Sequence, residues 1–317
     1  MERLIKALDI RKIEYKTDVS TASLSSFKIG GNCSLVVFPK SKDELAASIR
    51  EARESGVKYE VVGKGSNVLF SDDGYDGMLI LTSHMNQITE ENGYIYAETG
   101  AHLGALSGYA AARSLSGLEF AYGIPGSLGG AVFMNAGAYG GEMKDVVIYS
   151  DYYDPKTDSF GRFSGEEQRF SYRKSVYSEN NDLVILGAAI KLSKGNESEI
   201  RELMNENMQK RPRNSSGIRR FCHVYDQRII GRASFGGIDP QSGIGIQGVR
   251  PQSVYRFRRK YYRSTRTQDL PRARKGELGI RGARIADYSV FGCFSFLFFH
   301  CLNPYAVLSK EVRSPHE

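Results

Sequence analysis

Between Gly117 and Glu142 the chain reads GLEFAYGIPGSLGGAVFMNAGAYGGE, with eight glycines in 26 residues. Glycine loses more backbone freedom on folding than any other residue, so this density belongs where the main chain must run close to something else. Gly123-Ile124-Pro125-Gly126-Ser127 sets a rigid proline between glycines, and Gly129-Gly130 and Asn135-Ala136-Gly137 follow. Such a segment can pass beside a pyrophosphate or a planar ring with no side chain in the way. The plainer alternative is close packing of glycine-lined helices. A second loop, Gly63-Lys64-Gly65-Ser66-Asn67, follows the β-rich run Val57 to Val62. It is neither GxGxxG nor GxxxxGK followed by Ser or Thr, so neither a Rossmann dinucleotide site nor a P-loop is supported. Its consecutive amides, the Ser66 hydroxyl and the Asn67 amide still suit phosphate. A tight strand-to-helix turn is the alternative there.

The chain around these loops punctuates into short elements. Ser41 followed by Glu44 is a capping box, which predicts a helix over Lys42 to Ser55 with Gly56 as its stop. Strands are expected over Val57 to Val62, Met78 to Thr82, Tyr94 to Glu98, Val146 to Tyr153 and Leu183 to Leu192, with a helix over His102 to Leu115 ended by Gly117. Asn196 to Gln209 reads as a polar helix with Ile200, Leu203 and Met204 inward. Strands alternating with helices suggest α/β layers. Between Arg211 and Arg284 no period supports a confident element.

Charge divides the chain at the same place. Residues 1–210 hold 23 Lys and Arg against 29 Asp and Glu, whereas residues 211–317 hold 20 against 7, and 17 of those 20 are arginine. Four cysteines and five histidines show no CxxC, HxxxH or HExxH spacing, so neither a metal site nor a disulfide framework is expected. The longest apolar stretch, Val290 to Phe299, is about half of the roughly 20 residues that a membrane helix needs. Met1 to Lys12 alternates charge with apolar residues and lacks the apolar core of a secretory signal. These features predict a cytoplasmic protein with no membrane partner.

Three segments in order, VVGKGSNVLFSDDGYDG (61–77), the glycine-dense 117–142 and FSYRKS (170–175), resemble the UDP-N-acetylenolpyruvoylglucosamine reductase (UDP-N-acetylmuramate dehydrogenase, MurB) family. SSFKIGG (25–31) resembles that family's N-terminal flavin-contact segment. The resemblance covers roughly residues 20–210. It implies an α+β fold, a two-lobed PCMH or vanillyl-alcohol-oxidase-type FAD-binding domain. The expected division is a lead-in over 1–20, the FAD-binding domain over 21–195, a connecting helix over 196–210 and a basic, poorly structured segment over 211–317. That last segment stands as a degenerate remnant where the family has its substrate domain. The cofactors implied are FAD and, as hydride donor, NADPH. The implied reaction passes hydride to the enolpyruvyl double bond of a UDP-sugar, in peptidoglycan precursor synthesis. Gly63, Gly65, Ser66, Asn67, Gly123, Ile124, Pro125, Gly126, Ser127, Gly129, Gly130, Asn135 and Gly137 are the expected cofactor contacts. The family's catalytic arginine, in its YRxS motif, falls on Arg173 of Tyr172-Arg173-Lys174-Ser175, with Tyr172 expected to pack. A planar guanidinium suits that task because it forks onto a carboxylate.

The family's other two catalytic groups, a serine in a PSAGS-like motif and a C-terminal glutamate, have no counterpart after residue 210. Reading one nucleotide out of register lets Ser215 to Ile218 encode Pro-Leu-Glu-Tyr and Phe221-Cys222 encode Ser-Ala. Gly236 to Ile244 then permits AGLIxxAGL and Arg256 to Ser264 permits GFVVNIxGA, strings that resemble the family's C-terminal motifs in order. A frameshift near Arg211 to Ser216 is the reading adopted. Two alternatives are carried: a non-catalytic FAD-binding remnant, and a basic appendage whose interleaved Tyr and Arg at 255–263 contact nucleic acid. Nucleic acid is the less expected partner. Oligomeric state is open.

Overall fold

The structure is a computed structural model. It describes residues 1–210 and the backbones of three short strands beyond them. All of these belong to one compact unit, Met1–Thr267, and a second unit, Gln268–Glu317, lies outside the described residues.

The first lobe is built from α1 (Glu2–Ile10), β1 (Tyr15–Ser20), the short α2 (Thr21–Leu24), β2 (Asn32–Val37), α3 (Lys42–Glu54), β3 (Tyr59–Val62), β4 (Val68–Phe70) and β5 (Tyr75–Leu81). Its sheet runs β1-β2-β5-β3, parallel except for β1. Leu35, Val36 and Val37 and then Met78 to Leu81 are buried without interruption, the pattern of parallel strands covered on both faces. Leu35, Val37, Met78 and Ile80 pack under α1 and α3 against Leu4, Leu8, Leu45 and Ile49. Cys33, Val36, Leu79 and Leu81 point the other way, toward Val62 and Phe70. Cys33 and Val36 share that face although three residues apart because the register with β5 shifts between Cys33 and Leu35. α3 starts as expected, with the Ser41 hydroxyl accepting from the Glu44 amide at 3.1 Å.

The second lobe comprises β6 (Ile88–Glu91), β7 (Tyr94–Glu98), α4 (Leu103–Ala111), the two-residue strands β8 (Leu115–Ser116), β9 (Gly137–Ala138) and β10 (Gly141–Glu142) with α5 (Leu128–Phe133) among them, then β11 (Val147–Asp154), β12 (Ser159–Ser164), the short α6 (Val176–Glu179), β13 (Val184–Ile190), β14 (Ser193–Lys194) and α7 (Glu197–Lys210). Its sheet is antiparallel, in the order β12-β11-β13-β7-β6. α4 and α5 cover one face through Leu103, Leu106, Leu128 and Val132. The lobes share core: Tyr153, Val184 and Leu186 of the second sheet pack with the first lobe's helices.

Two expectations are corrected here. The helix predicted to reach Leu115 stops at Ala111, because Ser114 turns left-handed at φ 54° and Leu115–Ser116 pairs with β14 instead. On α7, Ile200 and Met204 are buried but Leu203 is 43% exposed, and the third inward residue is Asn207, one turn beyond Met204, whose amide donates to the Glu119 carbonyl. Beyond residue 210, β15 (Arg228–Ile230) pairs parallel with β4, and β16 (Ser234–Phe235) pairs antiparallel with β17 (Ile246–Gln247). The rest of the segment expected to be poorly structured lies outside the described residues.

Candidate functional site

A cleft of about 1460 Å³ opens along β3, the loop after it and the start of α5. Gly63, Asn67, Ser127, Gly129, Gly130 and Arg173 line it. Gly65, Ser66, Gly123, Ile124, Pro125, Gly126 and Asn135 are not among its lining residues, and Gly137 lines a smaller pocket of about 350 Å³ that shares Arg173 with the first. The two glycine loops nevertheless abut: a Cβ placed on Gly63 would run into the Ser127 hydroxyl, and one on Gly126 would lie 3.8 Å from Ser66 Oγ.

Each glycine has its own reason. Gly65 is left-handed at φ +64°, and its missing side chain makes room for the Leu24 carbonyl. Its own carbonyl accepts from the Ser26 amide at 3.0 Å, which ties segment 25–31 to this loop. Gly129 lies so close to Thr99 that a Cβ would collide with the Thr99 hydroxyl. The amides of Ile124, Gly126, Leu128 and Gly129 donate to the carbonyls of Ala121, Ile124, Ala101 and Thr99. In the 123–127 loop this leaves Gly123 and Ser127 as the residues whose amides have no backbone acceptor among the described residues.

Arg173 sits at the tip of a tight turn, left-handed at φ 57°. Ser171 and Lys174 close that turn with reciprocal main-chain hydrogen bonds of 3.1 Å. The guanidinium donates to the Gly137 carbonyl at 3.2 Å, and among the described residues no carboxylate forms an ion pair with it. A fork of five N–H donors therefore stands at the wall of the cleft, and among the described residues only the Gly137 carbonyl accepts from it. Tyr172, expected to pack, is 79% exposed, with its ring 5.7 Å from the guanidinium. Glu142 lies nearby, and the Lys144 ammonium at 3.0 Å, followed by Asn135 and the charge of Arg173, holds its carboxyl below the usual range.

The lining fits a dinucleotide cofactor. The cleft exceeds the roughly 300–1,000 Å³ typical of drug-sized ligand sites. Bare backbone at Gly63 and Gly129 faces Ser127 and Thr99, and the buried Thr82 hydroxyl at the cleft has no hydrogen-bond partner among the described residues. Thr82 and Thr99 were not legible as site residues, since a threonine at the end of a β-rich run carries no local signal. Among the described residues, no cluster of His, Cys, Asp and Glu has the grouping of a metal site, and no helix is long and apolar enough to cross a membrane.

A mixed sheet and an antiparallel sheet joined through a shared core, with a glycine-lined cleft between, define the class of FAD-binding domains, and residues 33–158 match the FAD binding domain family. The chain is 40% identical over 208 residues to the UDP-N-acetylenolpyruvoylglucosamine reductase of Caldicellulosiruptor saccharolyticus, covering 65% of this chain and 66% of that one. It is 35% identical over 216 residues to the enzyme of the same name from Clostridium novyi, covering 66% and 70%. Among solved structures, the reductase (MurB) of Thermus caldophilus aligns with a TM-score of 0.52 at 30% identity, over 63% of this chain and 69% of that one. The chain belongs to the UDP-N-acetylenolpyruvoylglucosamine reductase family. It spans about two thirds of the length of the curated relatives it matches.

Proposed function

We propose that this chain is a cytoplasmic flavoprotein of peptidoglycan precursor synthesis, shaped to reduce UDP-N-acetylglucosamine enolpyruvate to UDP-N-acetylmuramate with NADPH. When bound, FAD would supply the redox chemistry that links NADPH to the enolpyruvyl double bond. The cleft loops seat the cofactor, with Gly63 and Asn67 on one side and Ser127, Gly129 and Gly130 on the other. Arg173 binds the substrate's carboxylate and stabilises the enolate charge that spreads into it when hydride adds to the terminal CH2 carbon and leaves a carbanion on the carbon bearing the carboxylate. The observation that carries the reading is this arginine, held at the cleft wall with no carboxylate paired to it among the described residues. The family's serine for the proton that completes the reduction has no motif counterpart in the frame as written, and the shifted reading frame would restore one.

The test is to supply the full chain and a frame-restored version with FAD, NADPH and the enolpyruvyl sugar. Both are expected to retain flavin, and the restored chain is expected to oxidise NADPH faster when the sugar is added. Flavin retention with no response to the sugar in the restored chain would favour a non-catalytic flavin-binding remnant. Absence of flavin in both would refute the placement of the cofactor.

A further inference from the structure

We infer that Asn135 is the positioning residue of Arg173, a molecular bracket that fixes the turn carrying the guanidinium; the inference rests on the reading of Arg173 given above. Asn135 is 1% exposed and left-handed at φ 43°, a conformation that asparagine tolerates better than most residues. Every polar atom of its side chain is engaged. Nδ2 donates to the Ser171 carbonyl at 2.9 Å and to Glu142 Oε2 at 2.9 Å, while Oδ1 accepts from the Lys144 amide at 2.9 Å. Its two amide hydrogens and its carbonyl are thereby used within the protein, which assigns Asn135 to holding the site rather than to touching a cofactor.

The three bonds join separate pieces of chain. Glu142 stands opposite Gly137 in the β9–β10 hairpin, so the hairpin brings Glu142 and Lys144 back beside Asn135. The Glu142 carboxylate, paired with the Lys144 ammonium at 3.0 Å, is a charge-assisted acceptor that fixes which way the amide points. The second amide hydrogen then has one place to go, the Ser171 carbonyl at the base of the Arg173 turn. On the far side of that turn Ser175 Oγ donates to the Phe133 carbonyl at 2.6 Å, and the guanidinium itself meets Gly137. Gly137 and Phe133 lie two residues either side of Asn135, so one short stretch holds the turn at its base, at its exit and at the guanidinium. A left-handed arginine is uncommon and persists only where its surroundings over-determine it, and this network is what does so.

The experiment reads the turn directly, in the full chain without substrate. Asn135→Asp keeps the size and the acceptor but removes both N–H donors, while Asn135→Ala removes everything. In either variant the amides of Ser171 and Lys174 are expected to exchange with solvent about tenfold faster or more. The Arg173 Nε–Hε resonance, assigned by its loss in Arg173→Ala, is expected to broaden, and the amide of Gly129, which donates to Thr99, is expected to hold its rate. Glu142→Gln leaves Asn135 in place and weakens its anchor, so an intermediate acceleration is expected, and it decides the matter if neither Asn135 variant folds. Unchanged Ser171 and Lys174 exchange with an unchanged Arg173 resonance in Asn135→Asp, or in Glu142→Gln where that variant decides, overturns the inference. The substrate reading of Arg173 is scored separately, by Arg173→Ala in the frame-restored chain. A loosened turn with no effect of Arg173→Ala on turnover keeps the bracket and removes the carboxylate role.

Discussion

At Gly129 an added methyl group has nowhere to go, since it would meet the Thr99 hydroxyl with the Thr99 carbonyl 3.2 Å away, whereas at Gly126 it would meet nothing closer than Leu103 Cδ1 at 3.7 Å. The two glycines look alike in sequence, and the structure separates them. Gly129→Ala is expected to destabilise the protein by about 1–3 kcal/mol, the usual cost of overpacking, and to lower flavin retention. Gly126→Ala is expected to stay within about ±0.5 kcal/mol. Chemical unfolding and flavin content of the two purified variants check this: flavin loss at Gly126→Ala with unchanged stability would mean that glycine is required there for the ligand and not for the fold, and an equal loss of stability would overturn the expectation. Gly63 and Gly129 of the candidate site are legible for the same physical reason: backbone that must approach a neighbour is written as glycine. Arg173 was legible only through the family's YRxS pattern, because an arginine in a loop has no periodicity to betray it. Thr82 was not legible, since its unpartnered hydroxyl follows from burial, which one residue does not announce. Asn135 stood out among the glycines, but its bonds to Ser171 and Lys144 cross 36 and 9 residues of chain, so its task as a bracket needed coordinates.

Helix α7 shows how a pattern is read correctly and placed one residue off. Ile200, Leu203 and Met204 share a helical face by spacing, yet the buried line runs Ile200, Met204, Asn207 and leaves Leu203 at the edge. The buried asparagine explains the difference, since its hydrogen bond to the Glu119 carbonyl rotates the helix to bring a polar residue inward. Met204→Ala is therefore expected to cost about 2–5 kcal/mol as a core truncation, and Leu203→Ala less than about 0.5 kcal/mol, measured by denaturant midpoints at constant slope. A comparable loss at Leu203 would show that α7 buries that edge against residues outside those described. α3 was readable at its start because its cap is local, Ser41 reaching only to the Glu44 amide. The end of α4 is not written locally, because Leu115 and Ser116 are taken by pairing with Ser193 and Lys194, a contact some 80 residues away that no local propensity encodes.

At the scale of the whole molecule two questions meet: what holds the lobes together, and what the chain can do once they are joined. Arg50 on α3 forks onto Asp158 at 2.8 and 3.1 Å, and the Tyr153 hydroxyl donates to the same carboxylate at 2.8 Å, so one aspartate in the β11–β12 turn ties the first lobe's helix to the second sheet. Arg50, then Tyr153, holds the Asp158 carboxyl below its usual range. A lowered folded value contributes stability above the ordinary aspartate range and loses it as pH falls through the folded value. Melting temperatures of wild type and Asp158→Asn are expected to differ near neutrality and to converge in acid; a constant difference across pH would assign the effect to packing. Joined lobes seat a cofactor, but reduction of the enolpyruvyl group needs a hydride at one carbon and a proton at its neighbour. On the proposed reading, residues 1–210 supply Arg173 for the carboxylate, and no segment among them matches the family's PSAGS-like motif. Loss of a general acid removes about 10² to 10⁴ in rate, and loss of the surfaces that orient the sugar removes positioning as well. The full chain loaded with FAD is therefore expected to show little acceleration of NADPH oxidation by the enolpyruvyl sugar. The frame-restored chain is expected to gain it, and Arg173→Ala in that background to lower kcat by orders of magnitude. Steady-state rates with and without the sugar decide it: brisk turnover by the unrestored chain would mean that a residue other than the family's serine delivers the proton.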